Sequence, residues 1–157
     1  MFEIVGKFEN AVADFYGSPY AIAVDSCTHA LELCLRASGT KNSYCPAHTY
    51  ISIPFTFIKL GIDWKFDHHE WHDFYYLGNT NIIDAAWYFK ERGYVPDSYM
   101  CLSFQYKKPL GLGRGGMILL KDKREAENLR MLAYDGRKPN IPWMERSEEH
   151  TSELQSH

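Results

Sequence analysis

Nothing in this chain of 157 residues approaches a membrane-spanning apolar run, and its first residues lack the basic, apolar and small-residue order of a signal peptide. A soluble, cytoplasmic protein outside the membrane is the expectation. Cysteine is sparse and unpatterned: Cys27, Cys34, Cys45 and Cys101 form no CxxC pair and no regular framework, so reduced thiols in the core or near a site are expected, not disulfides or zinc ligands. His69-Glu70-Trp71-His72 falls one residue short of the HExxH metal helix, so its histidines would not stack on one helical face, and no metal site is expected. An excess of charge of one sign is lacking as well. The net charge is −3, or −1 once residues 146–157 are set aside, which leaves no electrostatic case for nucleic acid or an acidic membrane.

Those last residues, "RSEEHTSELQSH", share neither the aromatic content nor the periodicity of the rest, and they match the translation of a common sequencing adapter. They are expected to be a non-native, irregular tail. The natural sequence then stops near Glu145, and residues 1–145 form one domain whose apolar content is ordinary for a globular core.

What is present alternates helix and strand. Phe8, Ala11, Val12, Phe15 and Tyr16 recur at helical spacing before Gly17, and Tyr20 to Val24 then reads as a compact apolar strand. "DSCT" leads into Ala30, Leu33, Cys34 and Ala37, a second helix closed by Gly39. "ISIPFTFIKLG" predicts a helix with Pro54 near its first turn, "IDWKF" a strand, and "DHHEWHDFYYLGNT" at 67–80 a surface aromatic loop. Asn81 to Ile83 is a short buried strand that delivers Asp84 at its C-terminal end, where ligands of α/β sheets bind. Arg124 to Ala133 is a charged helix with Ala126, Leu129, Met131 and Leu132 inward, and "YDGRKPNIPW" begins a linker. The alternation predicts an α/β layered fold with flanking helices.

The glycines of "LSFQYKKPLGLGRGGMILL" have the Gly111-x-Gly113-x-x-Gly116 spacing of a dinucleotide loop, but that chemistry needs a following helix. Here Met117 to Leu120 reads as a buried strand, so a tight turn is expected, and attention moves to Lys107 and Lys108 before it. Ser26 and Thr28 open a helix whose free N–H groups suit a phosphate, although Asp25 or Ser26 acting simply as an N-cap is the plainer alternative. A carboxylate such as Asp84 at the end of an apolar strand is costly without a cationic partner, and a protonated ring nitrogen would serve.

Taken together these segments resemble the pyridoxal-phosphate aminotransferases of the DegT/DnrJ/EryC1/StrS family, over roughly Val5 to Asp135. The resemblance implies the large domain of a fold type I aminotransferase, three-layered, with a mostly parallel sheet, and incomplete here. It implies pyridoxal 5'-phosphate as cofactor, Lys108 as the lysine that bonds it and shuttles a proton, and Asp84 on its pyridine nitrogen. Tyr50 of "PAHTY" would stack on the ring, and Ser26, Thr28 and Ser103 would bind the phosphate. Cys27 stands where the family usually has Gly, Trp87 where His or Gln lies near the phenolic oxygen, Gln105 where His is common, and Arg114 where an acidic residue is usual. The amine of Lys108 is expected to be activated by desolvation or by the neighbouring cations Lys107 and Arg114.

The implied reaction is transamination of a nucleotide-linked keto sugar with glutamate as donor, in amino-sugar and polysaccharide biosynthesis, by a homodimer. Family members run over twice this length, so a truncated large domain that exposes apolar surface is expected. A cofactor-sharing enzyme of another reaction type, such as a dehydratase, and a non-catalytic module on the same fold stay open as alternatives.

Overall fold

A computed structural model describes residues 2–134 and 136. The linker expected after Tyr134 lies largely, and the tail at 146–157 wholly, outside them. Helix α1 (Phe2–Tyr16) ends at Gly17, whose φ of 74° suits a residue without a Cβ. Strand β1 (Tyr20–Val24) then runs into α2 (Cys27–Ala37). Strand β2 (Asn42–Pro46), helix α3 (Ser52–Lys59) and strand β3 (Asp63–Asp67) follow. Next come β4 (Tyr75–Tyr76), β5 (Ile82–Asp84), β6 (Tyr99–Ser103), β7 (Gly116–Leu120) and helix α4 (Lys123–Ala133). Ala126 and Leu129 of α4 are buried and Met131 and Leu132 half-buried.

The central sheet has the order β1-β7-β6-β5-β4, with β2 and β3 as a separate pair. Side chains alternate across it: Met117 and Leu119 join Met100, Leu102, Val12 and Tyr16 on the α1 face. Ile118 and Leu120 join Cys101, Ala30, Leu31 and Leu129 on the face covered by α2 and α4. A sheet covered on both sides needs apolar residues at every position, which is why "GMILL" reads as an unbroken run. The result is three layers, α1, sheet, and α2 with α4.

Strand direction departs from the mostly parallel sheet expected. In the central sheet only β5 and β6 run parallel, while β1·β7, β6·β7 and β4·β5 are antiparallel. Parallel pairing demands a long crossover. The joins from β4 to β5 and from β6 to β7 are reversals, and among the described strands the parallel arrangement recurs in β2·β3, bridged by α3.

The free edge of β1 is closed by side chains. Buried Glu9 accepts from the Ala23 N–H at 2.8 Å and from Arg130 Nη1 at 2.7 Å, tying α1, β1 and α4 together. An unpaired edge is thereby blunted.

Candidate active site

Asp84 lies at the C-terminal end of β5 and is only 7% exposed. Its strand neighbours fix what surrounds it: the register sets Asp84 opposite Tyr75 on β4 and Cys101 on β6. Tyr75 donates its hydroxyl to Asp84 Oδ2 at 2.7 Å, the Ala86 N–H donates to Oδ1 at 3.0 Å, and Cys27 Sγ lies 3.9 Å from Oδ1. Burial pushes the carboxyl above its ordinary value, against the pull of the Tyr75 hydroxyl, the Ala86 N–H, the Lys108 charge and the Cys27 thiol.

Lys108 is held by a turn that Gln105 shapes. The Gln105 carbonyl accepts from the Lys108 N–H at 2.8 Å, and its side-chain oxygen accepts from the Lys107 N–H at 2.9 Å. Burial lowers the Lys108 amine, while Asp84 and Cys27 oppose the shift. The neighbouring cations expected to activate it do not enter: the Lys107 ammonium sits 5.5 Å from the Tyr106 ring instead. Lys108 Nζ itself rests 4.0 Å from the centre of the exposed Trp87 ring, within cation–π range.

The glycine loop presses against the start of α2. A Cβ on Gly116 would stand 2.4 Å from the Ser26 carbonyl carbon and 2.6 Å from the Cys27 nitrogen. Ser103 pairs with Gly116 across β6·β7, so Ser103 and the first turn of α2 flank the same strand end. Ser26 is the N-cap of α2: its side chain accepts from the His29 N–H at 3.1 Å and donates to Asp25. The Thr28 hydroxyl lies 2.8 Å from that of Ser52 at the start of α3, and Ser103 Oγ lies 3.4 Å from the Gln105 nitrogen. All four cysteines are buried and free.

The structure therefore brings together Asp84, Cys27, Lys108 and Trp87, with Ser26, Ser103 and Gln105 on the adjoining loop and helix start. Tyr50 is 72% exposed. Its neighbour Thr49 makes the link to Asp84, through a hydrogen bond to the Tyr75 hydroxyl. Stretch 67–80, expected as a surface loop, supplies that inner residue. His68, His69 and His72 are exposed, but Tyr75 and Leu77 are buried around exposed Tyr76. This period-two alternation is one of burial only: "FYYL" is apolar and aromatic throughout, so its sequence does not single out Tyr75.

These residues fit pyridoxal phosphate. A buried carboxylate opposed by its own burial is relieved by a cationic N–H, which a protonated pyridine nitrogen provides. A half-buried amine shares its field, and beside both is a helix start, whose first N–H groups have no partners within the helix.

Comparison with known proteins agrees. The sequence profile of the DegT/DnrJ/EryC1/StrS aminotransferase family matches residues 2–63 and 84–152. Among solved structures, the chain is similar to 3-amino-5-hydroxybenzoic acid synthase at 24% identity and a TM-score of 0.68, over 93% of this chain and 49% of the other. It is similar to DesI, solved with its TDP-sugar product, at 18% identity and 0.69, over 87% of this chain and 46% of that one. A proposed PLP-dependent aminotransferase from Bacillus cereus gives 16% and 0.71, over 87% and 51% respectively. The chain thus spans about half the length of these neighbours, whose fold is that of the type I pyridoxal-phosphate enzymes. Among curated proteins none matches significantly.

Proposed function

From the chain's membership of the DegT/DnrJ/EryC1/StrS aminotransferase family, we propose that its residues form the cofactor-holding part of a cytoplasmic, homodimeric enzyme that aminates a nucleotide-linked keto sugar with glutamate as donor. The observation that carries this reading is the pairing, in one electrostatic field, of buried Asp84 with the half-buried Lys108 amine beside the start of α2. The sugar acceptor draws on the TDP-sugar product bound by DesI. An acceptor that is not a sugar is the second reading, favoured by the likeness to a synthase of 3-amino-5-hydroxybenzoic acid.

Pyridoxal phosphate, when bound, supplies the electron sink that makes loss of an α-proton feasible. Asp84 holds a proton at the ring nitrogen. Ser26, Cys27 and Thr28 at the start of α2, with Ser103, bind the phosphate, and Gln105, Trp87 and Tyr50 line the ring. Lys108 would hold the cofactor through its amine and would be the base that takes the proton from the donor's α-carbon. An amine lowered by burial carries a larger neutral fraction near neutral pH, which is the form a base requires.

The test is the absorbance spectrum of the purified chain with pyridoxal phosphate, before and after borohydride, followed by peptide mapping. A visible band trapped on Lys108, and missing in Lys108→Ala, is expected. Adducts spread over exposed lysines, with the band unchanged in Lys108→Ala, would overturn the assignment. With the cofactor established, product analysis using a keto-sugar nucleotide and glutamate separates the two acceptor readings.

A further inference from the structure

We propose that Tyr75 is a positioning residue of this site: its hydroxyl, backed by Thr49, fixes the orientation and the charge of the Asp84 carboxylate toward the cofactor's ring nitrogen. This rests on the cofactor reading above. It adds a residue from a part of the chain that the family profile leaves unmatched, since the profile covers 2–63 and resumes at Asp84 itself.

The geometry starts with the register. Tyr75 and Asp84 are opposed across an antiparallel ladder, so their side chains stand on the same face as direct neighbours. Tyr75 is 4% exposed, and its ring packs against Trp71 at 4.8 Å. The Trp71 indole N–H donates to the His48 carbonyl at 3.0 Å. Segment 67–80 is therefore joined to the loop at 47–50 by one bond through His48, a second through Thr49 and a third from the Ala47 N–H to the Asp67 carbonyl at 2.7 Å.

Donor arithmetic sets the direction of the second. An ionised carboxylate only accepts, so the single hydroxyl proton of Tyr75 goes to Asp84 Oδ2. The Thr49 hydroxyl must then donate to the Tyr75 oxygen. Polarised from Thr49 through Tyr75, such a chain strengthens the last bond and favours the charged carboxylate. Burial pushes the other way on Asp84. The groups facing the carboxylate are Tyr75 from β4, Cys27 from α2, Cys101 from β6 and Lys108 from the loop after β6. Both thiols are held protonated by burial, so they add no charge. Oδ1 takes the Ala86 N–H and Oδ2 the Tyr75 hydroxyl, and the carboxyl plane cannot turn without losing one of them.

The experiment compares wild type, Tyr75→Phe and Thr49→Val. Phe keeps the ring that packs on Trp71, and Val keeps the shape of Thr49 while removing its hydroxyl. In the cofactor-free chain, carbon-13 NMR of the labelled Asp84 carboxyl follows its titration. The midpoint is expected to move up in Tyr75→Phe and, by less, in Thr49→Val; an unmoved midpoint in both overturns the proposal. Equilibrium binding then uses pyridoxal phosphate and its analogue with carbon in place of the ring nitrogen. Tyr75→Phe should bind the first about tenfold more weakly, the scale of one hydrogen bond to a charged group, and the second as wild type does. Equal losses for both compounds would make Tyr75 a mere packing residue and overturn the proposal. A wild-type chain that holds neither compound refutes the cofactor reading instead, and the carboxyl titration still decides whether Tyr75 governs Asp84.

Discussion

Asp84 illustrates a residue kept for chemistry at a cost to stability. Its carboxyl value is raised in the folded chain, chiefly by burial. The folded state then binds the proton more tightly than the unfolded one, so stability falls as pH rises from about 4, the ordinary carboxylate value, and the whole cost is present once the folded value is passed. Asp84→Asn removes the charge and keeps an acceptor for the Ala86 N–H. In thermal melts without cofactor, the variant is expected to be more stable than wild type at pH 7, with the gap closing as pH falls toward about 4. A variant less stable at pH 7 would mean that Tyr75, Ala86 and Lys108 outweigh burial. The same substitution withdraws the partner of the ring nitrogen, so a gain in melting temperature should accompany a loss of cofactor affinity, the trade expected where a site is strained for function.

At the scale of elements, the site depends on how closely β7 approaches the start of α2. Gly116 is the contact: a Cβ there meets backbone atoms of Ser26 and Cys27 at 2.4 to 2.6 Å, and backbone cannot rotate aside as a side chain can. Gly116→Ala is therefore expected to cost about 1–3 kcal/mol in urea unfolding, the range of overpacked interiors, and to displace the α2 start from Ser103. Gly6→Ala is the control, since nothing lies within 4 Å of a Cβ there. In the middle of α1 it should instead stabilise by about 0.5–1 kcal/mol. If both variants behave alike, the close approach does not constrain the site. Gly116 also shows what the sequence conveys. Local signals suffice for α1 with its terminal Gly17, for the β1 to α2 unit, and for the strand that excludes a dinucleotide loop. They suffice for Asp84 at a strand end, because that rests on an apolar run within one segment, whereas the choice of Lys108 rests on the resemblance to the family. Strand direction and the place of Tyr75 are different. β4 is only two residues long, and it exists because its partner strand holds it, so no window of the sequence is long enough to carry its period. Thr49 and Tyr75 meet across 26 positions, a pairing that only the fold creates.

For the molecule as a whole, the sheet is covered on both faces, yet α3 is not. Ile51 just before it, with Phe55 and Ile58 within it, follows the i, i+4, i+7 spacing of one helical stripe, and the three are 58%, 60% and 60% exposed, with Tyr50 beside them at 72%. Among the described residues, the opposite side of α3 buries Ile53 and Phe57 in the core, so the helix is apolar on both sides. An exposed apolar stripe of that kind marks a surface that another element or partner covers. The homodimer proposed above would place a second copy of the chain there. In light scattering after size exclusion, the chain should run as a dimer or larger, and the paired substitution Phe55→Glu with Ile58→Lys should shift it to monomer. Because both side chains point to solvent, the melt of the variant at low concentration should match that of wild type within about 0.5 kcal/mol. A wild-type chain that stays monomeric at high concentration would assign this face to something other than a second copy. A variant that unfolds would assign it to the core. If instead the variant is folded and monomeric but no longer takes up pyridoxal phosphate, then Tyr50 and the loop at 47–50 are held in place by the partner copy, and the exposure of the Tyr50 ring in a single chain has its physical cause.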